Sequence, residues 1–226
     1  MEDYDFIVQE AKALPVILLL DRSGSMSNHD KIGILNREVN EMIKTFSKCD
    51  DRVAAIKVAV YSFGGSGVTE DIPLTPASQM PQINLGASGN TPMDQAVKKA
   101  SDLVNDRSKL HHFYRPYVIL VSDGAPDHDD LFRRATDEFK AGERSKKCIT
   151  MSLAIGVTDK RAEDNLRYFA TNEEYFFNIS DVQNIAKFFR FVSTTVVTRV
   201  ASGTPAQLPK PSVIKDIIDE DHDNIW

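Results

Sequence analysis

The sequence of 226 residues predicts an α/β protein with a doubly wound, mainly parallel sheet, helices on both faces and one short antiparallel edge strand. Continuous aliphatic runs, such as residues 15–20 and 117–122, are typical of strands that are covered on both faces. Between such runs, apolar residues recur every three or four positions, as they do on the buried side of a helix. The alternation of the two patterns favours parallel strands joined by helices.

The first half of the chain is predicted to hold three strands and two helices. Asn28 or Asp30 offers a cap for the first helix, and a glycine-rich turn at residues 64–67 ends the second strand. Pro73 lies within the third strand and Pro76 follows it. Because proline is confined largely to edge strands, this strand is placed at an edge of the sheet. In order, these elements are strand 15–20, helix 31–47, strand 53–63, strand 68–74, loop 86–90 and helix 91–104.

The second half repeats the alternation with three more strands and three more helices. Its first strand is aliphatic and is followed by an aspartate, Asp123, as the strand 15–20 is followed by Asp21. The last helix is predicted to bury the aromatic residues Phe188 or Phe189. In order, these elements are strand 117–122, helix 129–142, strand 148–157, helix 161–170, strand 175–177 and helix 182–197.

The composition and charge exclude several classes of protein. The net charge is −6, and four of these negative charges lie in residues 213–226, so the remainder is too close to neutral for a nucleic-acid-binding surface. No apolar run reaches the ~18 residues that cross a bilayer, and the acidic start of the chain is not a secretory signal. Cys49 and Cys148 are far apart and are predicted to be free thiols. We therefore expect a cytoplasmic protein.

Residues 1–200 are predicted to form one domain, and residues 201–226 a linker followed by an acidic, flexible tail. Small residues and prolines dominate the linker up to Ser212. The acidic composition that follows favours a disordered end of the chain. The alternative is a short docking segment, whose apolar anchors are Ile217, Ile218, Ile225 and Trp226.

Asp21 ends the first aliphatic run and is followed at alternate positions by Ser23 and Ser25. An Asp-x-Ser-x-Ser sequence at the carboxyl end of a buried strand puts three oxygen groups on one tight loop. Hard divalent cations prefer oxygen ligands, and Mg²⁺ binds them at about 2.0–2.1 Å in nearly octahedral geometry. The motif therefore predicts part of a metal site.

Two further oxygen groups are predicted to reach the same place. Ligands of open parallel sheets bind beyond the carboxyl ends of the strands, near the point where the strand order reverses. If their strands are neighbours, Asp21 and Asp123 meet in one crevice, and the loop before the helix 91–104 brings the Thr91 hydroxyl there. Two carboxylates balance a dication, which can still attract one more anionic oxygen. This favours a site completed by an Asp or Glu of a partner.

Each of these residues has a structural alternative when it is taken alone. The segment 91–94 suits the start of a helix, with a hydroxyl cap followed by a proline. Ser23 and Ser25 suit a turn, and Asp123 suits an ordinary strand end. The acidic residues 127–130 favour a helix start over a metal site. The metal site is preferred because all five groups occur together.

The ordered set resembles the metal-ion-dependent adhesion motif of von Willebrand factor A (VWA) domains, which is Asp-x-Ser-x-Ser, then a Thr, then an Asp. The matching segments are Asp21–Met26, Gly89–Pro92 and Val121–Pro126, and the resemblance extends over about residues 13–200. It implies a Rossmann-like fold and a bound Mg²⁺, with Mn²⁺ or Ca²⁺ as alternatives. The direct ligands that it implies are Ser23, Ser25 and Thr91. The residues that it implies to act largely through water are Asp21 and Asp123.

More narrowly, the chain resembles bacterial TerY-type proteins linked to tellurium resistance and stress operons. The likeness is carried by Tyr61–Gly64, Ile72–Pro76 and Phe188–Ser193. It implies a non-enzymatic, metal-dependent protein-binding module whose partner donates an Asp or Glu to the metal. The implied partners are a protein kinase, a PP2C-like phosphatase or other Ter proteins. Arg22, at a variable motif position, would favour acidic partners.

Two other functions remain open from the sequence. A magnesium-dependent phosphohydrolase of the haloacid dehalogenase type also has an Asp after its first strand. It needs a second acid two residues later as general acid or base, and Ser23 occupies that position here. The other alternative is a structural scaffold that has lost metal binding, and the presence of all five ligand types argues against it.

Overall fold

The computed structural model describes residues 12–49, 55–111, 113–181 and 184–202, and its centre is a six-stranded sheet. The strands are β1 (Leu14–Asp21), β2 (Ile56–Gly64), β3 (Gly67–Pro76), β4 (Tyr117–Ser122), β5 (Ile149–Ile155) and β6 (Phe176–Ile179). Their order across the sheet is β3-β2-β1-β4-β5-β6. Neighbouring strands are parallel except β2 and β3, which are antiparallel.

Helices cover both faces of this sheet. They are α1 (Lys31–Phe46), α2 (Met93–Asn105), α3 (Asp129–Ala141), α4 (Lys160–Phe169) and α5 (Ile185–Ser202). One core packs α1 and α5 against residues such as Leu18 of β1, and the other packs α2, α3 and α4 against residues such as Leu19. All eight residues of β1 are buried, as expected for a strand enclosed by helices on both sides.

The predicted fold class is confirmed by this arrangement. The antiparallel edge strand β3 is longer than expected, with 10 residues. Its pairing with β2 shifts register between Val58 and Tyr61, and a bulge of this kind adds a residue that a sequence pattern does not reveal. Neither Cys49 nor Cys148 forms a disulfide bond within the described residues, in agreement with the prediction of two thiols. Within the described part of the chain, no helix is long and apolar enough to cross a membrane.

The last helix differs most from its predicted bounds. It begins at Ile185 and continues to Ser202, past the predicted end of the helix at residue 197 and past the predicted domain boundary at residue 200. The predicted starts of this helix at residue 182 and of the second strand at residue 53 lie outside the described residues. The linker and the acidic tail lie there too from residue 203 onward, so their assignment stays a prediction.

The strand order brings the two aspartates to one end of the sheet. Asp21 is the last residue of β1, and Asp123 directly follows β4. These strands are parallel neighbours, with Leu20 opposite Val121. The chain passes from β1 to β2 on one side, while β4 lies on the other, so the strand order reverses between β1 and β4. A crevice at this position is the usual ligand site of such a sheet.

Candidate metal centre

Asp21 lies at the bottom of this crevice and is fully buried. Its Oδ1 accepts a hydrogen bond from the backbone N–H of Ser23 at 2.6 Å, and its Oδ2 accepts one from the hydroxyl of Ser122 at 2.5 Å. Burial raises the pKa of Asp21 to about 6, although both hydrogen bonds act to lower it. The carboxylate is therefore held in place, and a cation bound beside it would favour its charged form.

The hydroxyls that follow Asp21 connect it to Asp123. The Oγ atoms of Ser23 and Ser25 lie 3.0 Å apart, and Ser25 Oγ donates to Asp123 Oδ1 at 2.6 Å. The second carboxylate oxygen of Asp123 accepts from Lys31 Nζ at 2.8 Å. Ser23 is buried and Ser25 is exposed, so the network runs from the interior to the surface and opens at Ser25. Four of the five predicted ligand residues thus meet in one hydrogen-bonded group.

Thr91, the fifth predicted ligand residue, is fixed by its backbone to the loop after β4, the loop that also carries Asp123. Its N–H donates to Asp127 Oδ1 at 3.0 Å, and its carbonyl accepts from the Asp127 N–H at 3.1 Å. Helix α2 begins only at Met93, after Pro92, and among the described residues no side chain caps it. The alternative role of Thr91 as a hydroxyl cap is therefore not seen.

Three loops form the wall of the crevice, and backbone hydrogen bonds join them. The Gly24 N–H donates to the Gly89 carbonyl at 3.0 Å, and the Ser88 N–H donates to the Arg22 carbonyl at 2.7 Å. The Gly65 N–H in turn donates to the Ser88 carbonyl at 2.6 Å. The loop after β1 is thus fixed against the loop that carries Thr91. The Arg22 guanidinium lies along this junction and contacts Ser88 Oγ at 3.4 Å.

The loop after β4 is anchored from the opposite side. Arg161 of α4 donates to Asp129 Oδ2 at 2.6 Å and to the Pro126 carbonyl at 3.0 Å. The nearby guanidinium lowers the pKa of Asp129 below its usual value. Asp129 is thus tied to α4 by an ion pair rather than contributing to a metal site, in agreement with the prediction of an acidic helix start at residues 127–130.

The donor set suits a hard divalent cation. It consists of two carboxylates and three hydroxyl-bearing residues, and such cations bind oxygen atoms in preference to sulfur or imidazole nitrogen. Across the described ranges, no group of three or more His, Cys, Asp or Glu side chains could hold a metal. A thiolate or imidazole site of the zinc-finger type is therefore not found in that part of the chain.

The comparison with protein families agrees with this geometry. The model of the von Willebrand factor type A domain matches residues 16–191, which include strands β2 to β6, all but the first two residues of β1, and both aspartates. The chain belongs to the von Willebrand factor type A domain family. No curated protein sequence matches this VWA domain significantly.

Solved structures share the fold of this VWA domain at low sequence identity. The pilus adhesin SpaC from Lactobacillus rhamnosus GG in its open conformation has a TM-score of 0.68 and 14% identity, covering 85% of this chain and 31% of SpaC. Zinc-occupied proximal thread matrix protein 1 from the mussel byssus has a TM-score of 0.63 and 16% identity, and the match covers 84% of this chain and 47% of the mussel protein. The manganese-loaded TRAP protein of Plasmodium vivax has a TM-score of 0.55 and 17% identity, and the match covers 78% of this chain and 71% of TRAP. The chain spans between 31% and 47% of the first structures it matches.

Sequence reasoning missed three residues of the candidate metal centre. Ser122 bonds Asp21, Asp127 fastens Thr91, and Lys31 pairs with Asp123. The sequence did contain a signal for Ser122 and Lys31. Ser122 is the last residue of β4, and Lys31 is the first residue of the helix after β1, so both positions lie at the carboxyl edge of the sheet. Asp127 was assigned only to an acidic helix start, since its backbone partner is 36 residues away.

Asp127→Ala is expected to weaken Mn²⁺ binding about tenfold, because residues that orient a metal ligand typically contribute 10–100-fold to metal affinity. The side chain is exposed, so its loss should leave the fold intact. Isothermal titration calorimetry measures the affinity, and Asp130→Ala, at another exposed acid nearby, is the control. Equal Mn²⁺ affinities for the two variants would show that Asp127 does not position Thr91.

Proposed function

We propose that this VWA domain is a metal-dependent protein-interaction module in which a bound divalent cation captures a carboxylate of a protein partner. The residues that would hold the cation are Asp21, Ser23, Ser25, Thr91 and Asp123. The observation that carries the proposal is the hydrogen-bonded network from buried Asp21 to exposed Ser25. A cation held by these oxygens would lie at the opening of the crevice, within reach of another molecule.

The chemistry of the donor set supports carboxylate capture. Neutral hydroxyls supply coordination without neutralising the cation further, so a dication bound here would keep its attraction for an anionic oxygen. Mg²⁺ is the cation we propose, with Mn²⁺ or Ca²⁺ as alternatives. The zinc-occupied mussel protein and the manganese-loaded TRAP protein support a divalent cation in this fold without selecting Mg²⁺.

We propose a binding role rather than hydrolysis. A phosphohydrolase of the haloacid dehalogenase type would need a carboxylic acid at the position of Ser23. The hydroxyl at that position lies 3.0 Å from another hydroxyl, that of Ser25, and cannot act as a general acid or base of comparable strength. The relationship in fold to a pilus adhesin also supports binding.

The cellular setting that we propose is cytoplasmic and bacterial, within a Ter-type stress or tellurium-resistance system. The segments Tyr61–Gly64, Ile72–Pro76 and Phe188–Ser193 support this setting by resemblance. The partners would then be a kinase, a PP2C-like phosphatase or other Ter proteins that present an Asp or Glu.

An array of short peptides tests the proposal, with each Asp or Glu peptide paired to its Asn or Gln version. We expect binding to the acidic peptides in Mg²⁺ or Mn²⁺, and no binding after EDTA or to the amide versions. Ser25→Ala should remove this binding because it deletes an oxygen at the opening. Ser27→Ala is the matched control, since that exposed hydroxyl bonds only its own loop at the Gly24 carbonyl. Binding that survives both EDTA and Ser25→Ala would refute metal-mediated capture.

A further inference from the structure

Lys31, the first residue of α1, places a positive charge inside the candidate metal centre. Its Nζ lies 2.8 Å from Asp123 Oδ2, with the two side chains 12% and 1% exposed. The pair is therefore largely buried. A buried ionic interaction is stronger than one at the surface, because water screens it less. A surface pair on the same helix, Lys44 with Glu41, has both side chains 62% exposed.

The backbone around Lys31 holds this side chain in position. His29 and Asp30, directly before it, have positive φ angles of 54° and 55°. Two consecutive left-handed residues that are not glycine are strained, and such strain persists where the surrounding structure enforces it, often at functional sites. The ammonium also lies beside the loop after β5, since a side chain at Gly156 would place its Cβ 3.8 Å from Nζ. Lys31 thus joins α1 to the loop after β4 and lies next to the loop after β5.

Lys31 changes the net charge of the metal-free centre. Without it, the two carboxylates alone would determine that charge. With Asp21 and Asp123 ionised and Lys31 protonated, the three groups carry a net charge of −1. A bound dication brings the centre to +1, and one external carboxylate then neutralises it. Without the lysine charge, the loaded centre is neutral and the same carboxylate leaves it negative. The ammonium therefore opposes the cation and favours the anion that follows it.

We propose that Lys31 makes this centre a weaker site for the divalent cation and a stronger site for the partner's carboxylate. The inference rests on the proposed function, because it concerns the same cation and the same captured group. It also narrows the class of partner, since the gain from a positive centre applies to an anionic oxygen and not to a neutral amide or hydroxyl. Occupied and empty states of the centre would differ sharply in their attraction for an acidic partner.

A purely structural ion pair would behave differently. If Lys31 only fastened α1 to the loop after β4, its removal would lower stability without moving the two affinities in opposite directions. Opposite changes in the affinities for the metal cation and for the carboxylate would indicate an effect of the lysine charge, because that charge repels the cation and attracts the carboxylate.

The test compares Lys31→Met, which keeps an aliphatic side chain, with Lys31→Arg, which keeps the charge. Calorimetry gives the Mn²⁺ affinity, and water proton relaxation of the Mn²⁺-saturated protein gives the affinity for acetate, with acetamide as the neutral probe. For Lys31→Met we expect Mn²⁺ to bind about tenfold more tightly and acetate about tenfold more weakly, as removal of one nearby charge predicts. Lys31→Arg and the surface control Lys44→Met should retain both wild-type affinities.

The outcomes separate this inference from the proposed function. A wild-type protein that binds no Mn²⁺ would overturn the proposed function and the inference with it. A wild-type protein that binds Mn²⁺ and acetate, while Lys31→Met changes neither affinity or both in one direction, would overturn the role of Lys31 alone. If Lys31→Met does not fold, Lys31→Gln, which can still hydrogen-bond Asp123, carries the same comparison.

Discussion

Asp21→Asn is expected to abolish binding of a divalent cation and to stabilise the metal-free domain at neutral pH. The asparagine oxygen can accept from the Ser23 N–H as the carboxylate does, and its amide can donate to Ser122 Oγ. That hydroxyl can then donate to the Gly124 carbonyl, which already lies 3.3 Å away. The substitution therefore preserves the hydrogen bonds and removes one buried negative charge. Loss of that charge should weaken Mn²⁺ binding by a factor on the order of 100 or more.

The stabilisation has a defined dependence on pH. Burial raises the pKa of Asp21 from 3.8 to about 6 in the metal-free protein. The folded state therefore binds the proton more tightly than the unfolded state, and wild-type stability is lost as the pH rises from about 4 through 6. A raised pKa of this size corresponds to about 3 kcal/mol. Asp21→Asn should match the wild type near pH 4 and exceed it at pH 8.

Thermal unfolding in EDTA at these two pH values measures the effect, and calorimetry with Mn²⁺ measures the loss of binding. At pH 8 we expect the melting temperature of Asp21→Asn to rise by several degrees, because 1 kcal/mol shifts a domain of this size by about 2–4 °C. Asp102→Asn, at an exposed acid of α2, is the control and should change neither property. An Asp21→Asn protein that binds Mn²⁺ normally would remove Asp21 from the metal centre.

The fold could be predicted because its main signals are local. β1 is buried along its whole length and β4 as well, so both read as continuous aliphatic runs. Helix α1 begins at Lys31 as predicted, because its apolar stripe is regular. The predicted oxygen set also followed from local motifs, and it needed only the adjacency of β1 and β4, which the alternation of strands and helices favours.

The parts that could not be predicted depend on backbone conformation and on contacts distant in sequence. The left-handed turn at His29 and Asp30, which delivers Lys31, contains no glycine to indicate it. The bond from Thr91 to Asp127 joins two loops that only the folded sheet brings together. As a result, the sequence predicted a centre whose two carboxylates balance the charge of a divalent metal ion. The structure adds the positive charge of Lys31, which changes this balance.

Gly89→Ala is expected to destabilise the domain and to remove its affinity for a divalent cation. Gly89 has a φ of 73°, and a Cβ there would lie 2.3 Å from Gly65 Cα and 2.5 Å from Gly65 N. The left-handed conformation alone costs a non-glycine residue about 1–2 kcal/mol, and the collision with backbone adds to that cost. Because the Gly89 carbonyl accepts from the Gly24 N–H, displacement of Gly89 would separate the serine loop from the loop of Thr91.

Gly86→Ala in the same loop is the matched control, since a Cβ there meets no atom within 4 Å. We expect Gly89→Ala to melt roughly 5–10 °C lower than the wild type, as a loss of a few kcal/mol predicts, and Gly86→Ala to melt normally. Mn²⁺ should raise the melting temperature of Gly86→Ala but not that of Gly89→Ala. If Gly89→Ala keeps wild-type stability and is still stabilised by Mn²⁺, the close approach of Gly65 and Gly89 does not hold the serine loop against the loop of Thr91. The position of Thr91 would then depend on the backbone bond between Ser88 and Arg22 and on the bonds of Thr91 to Asp127.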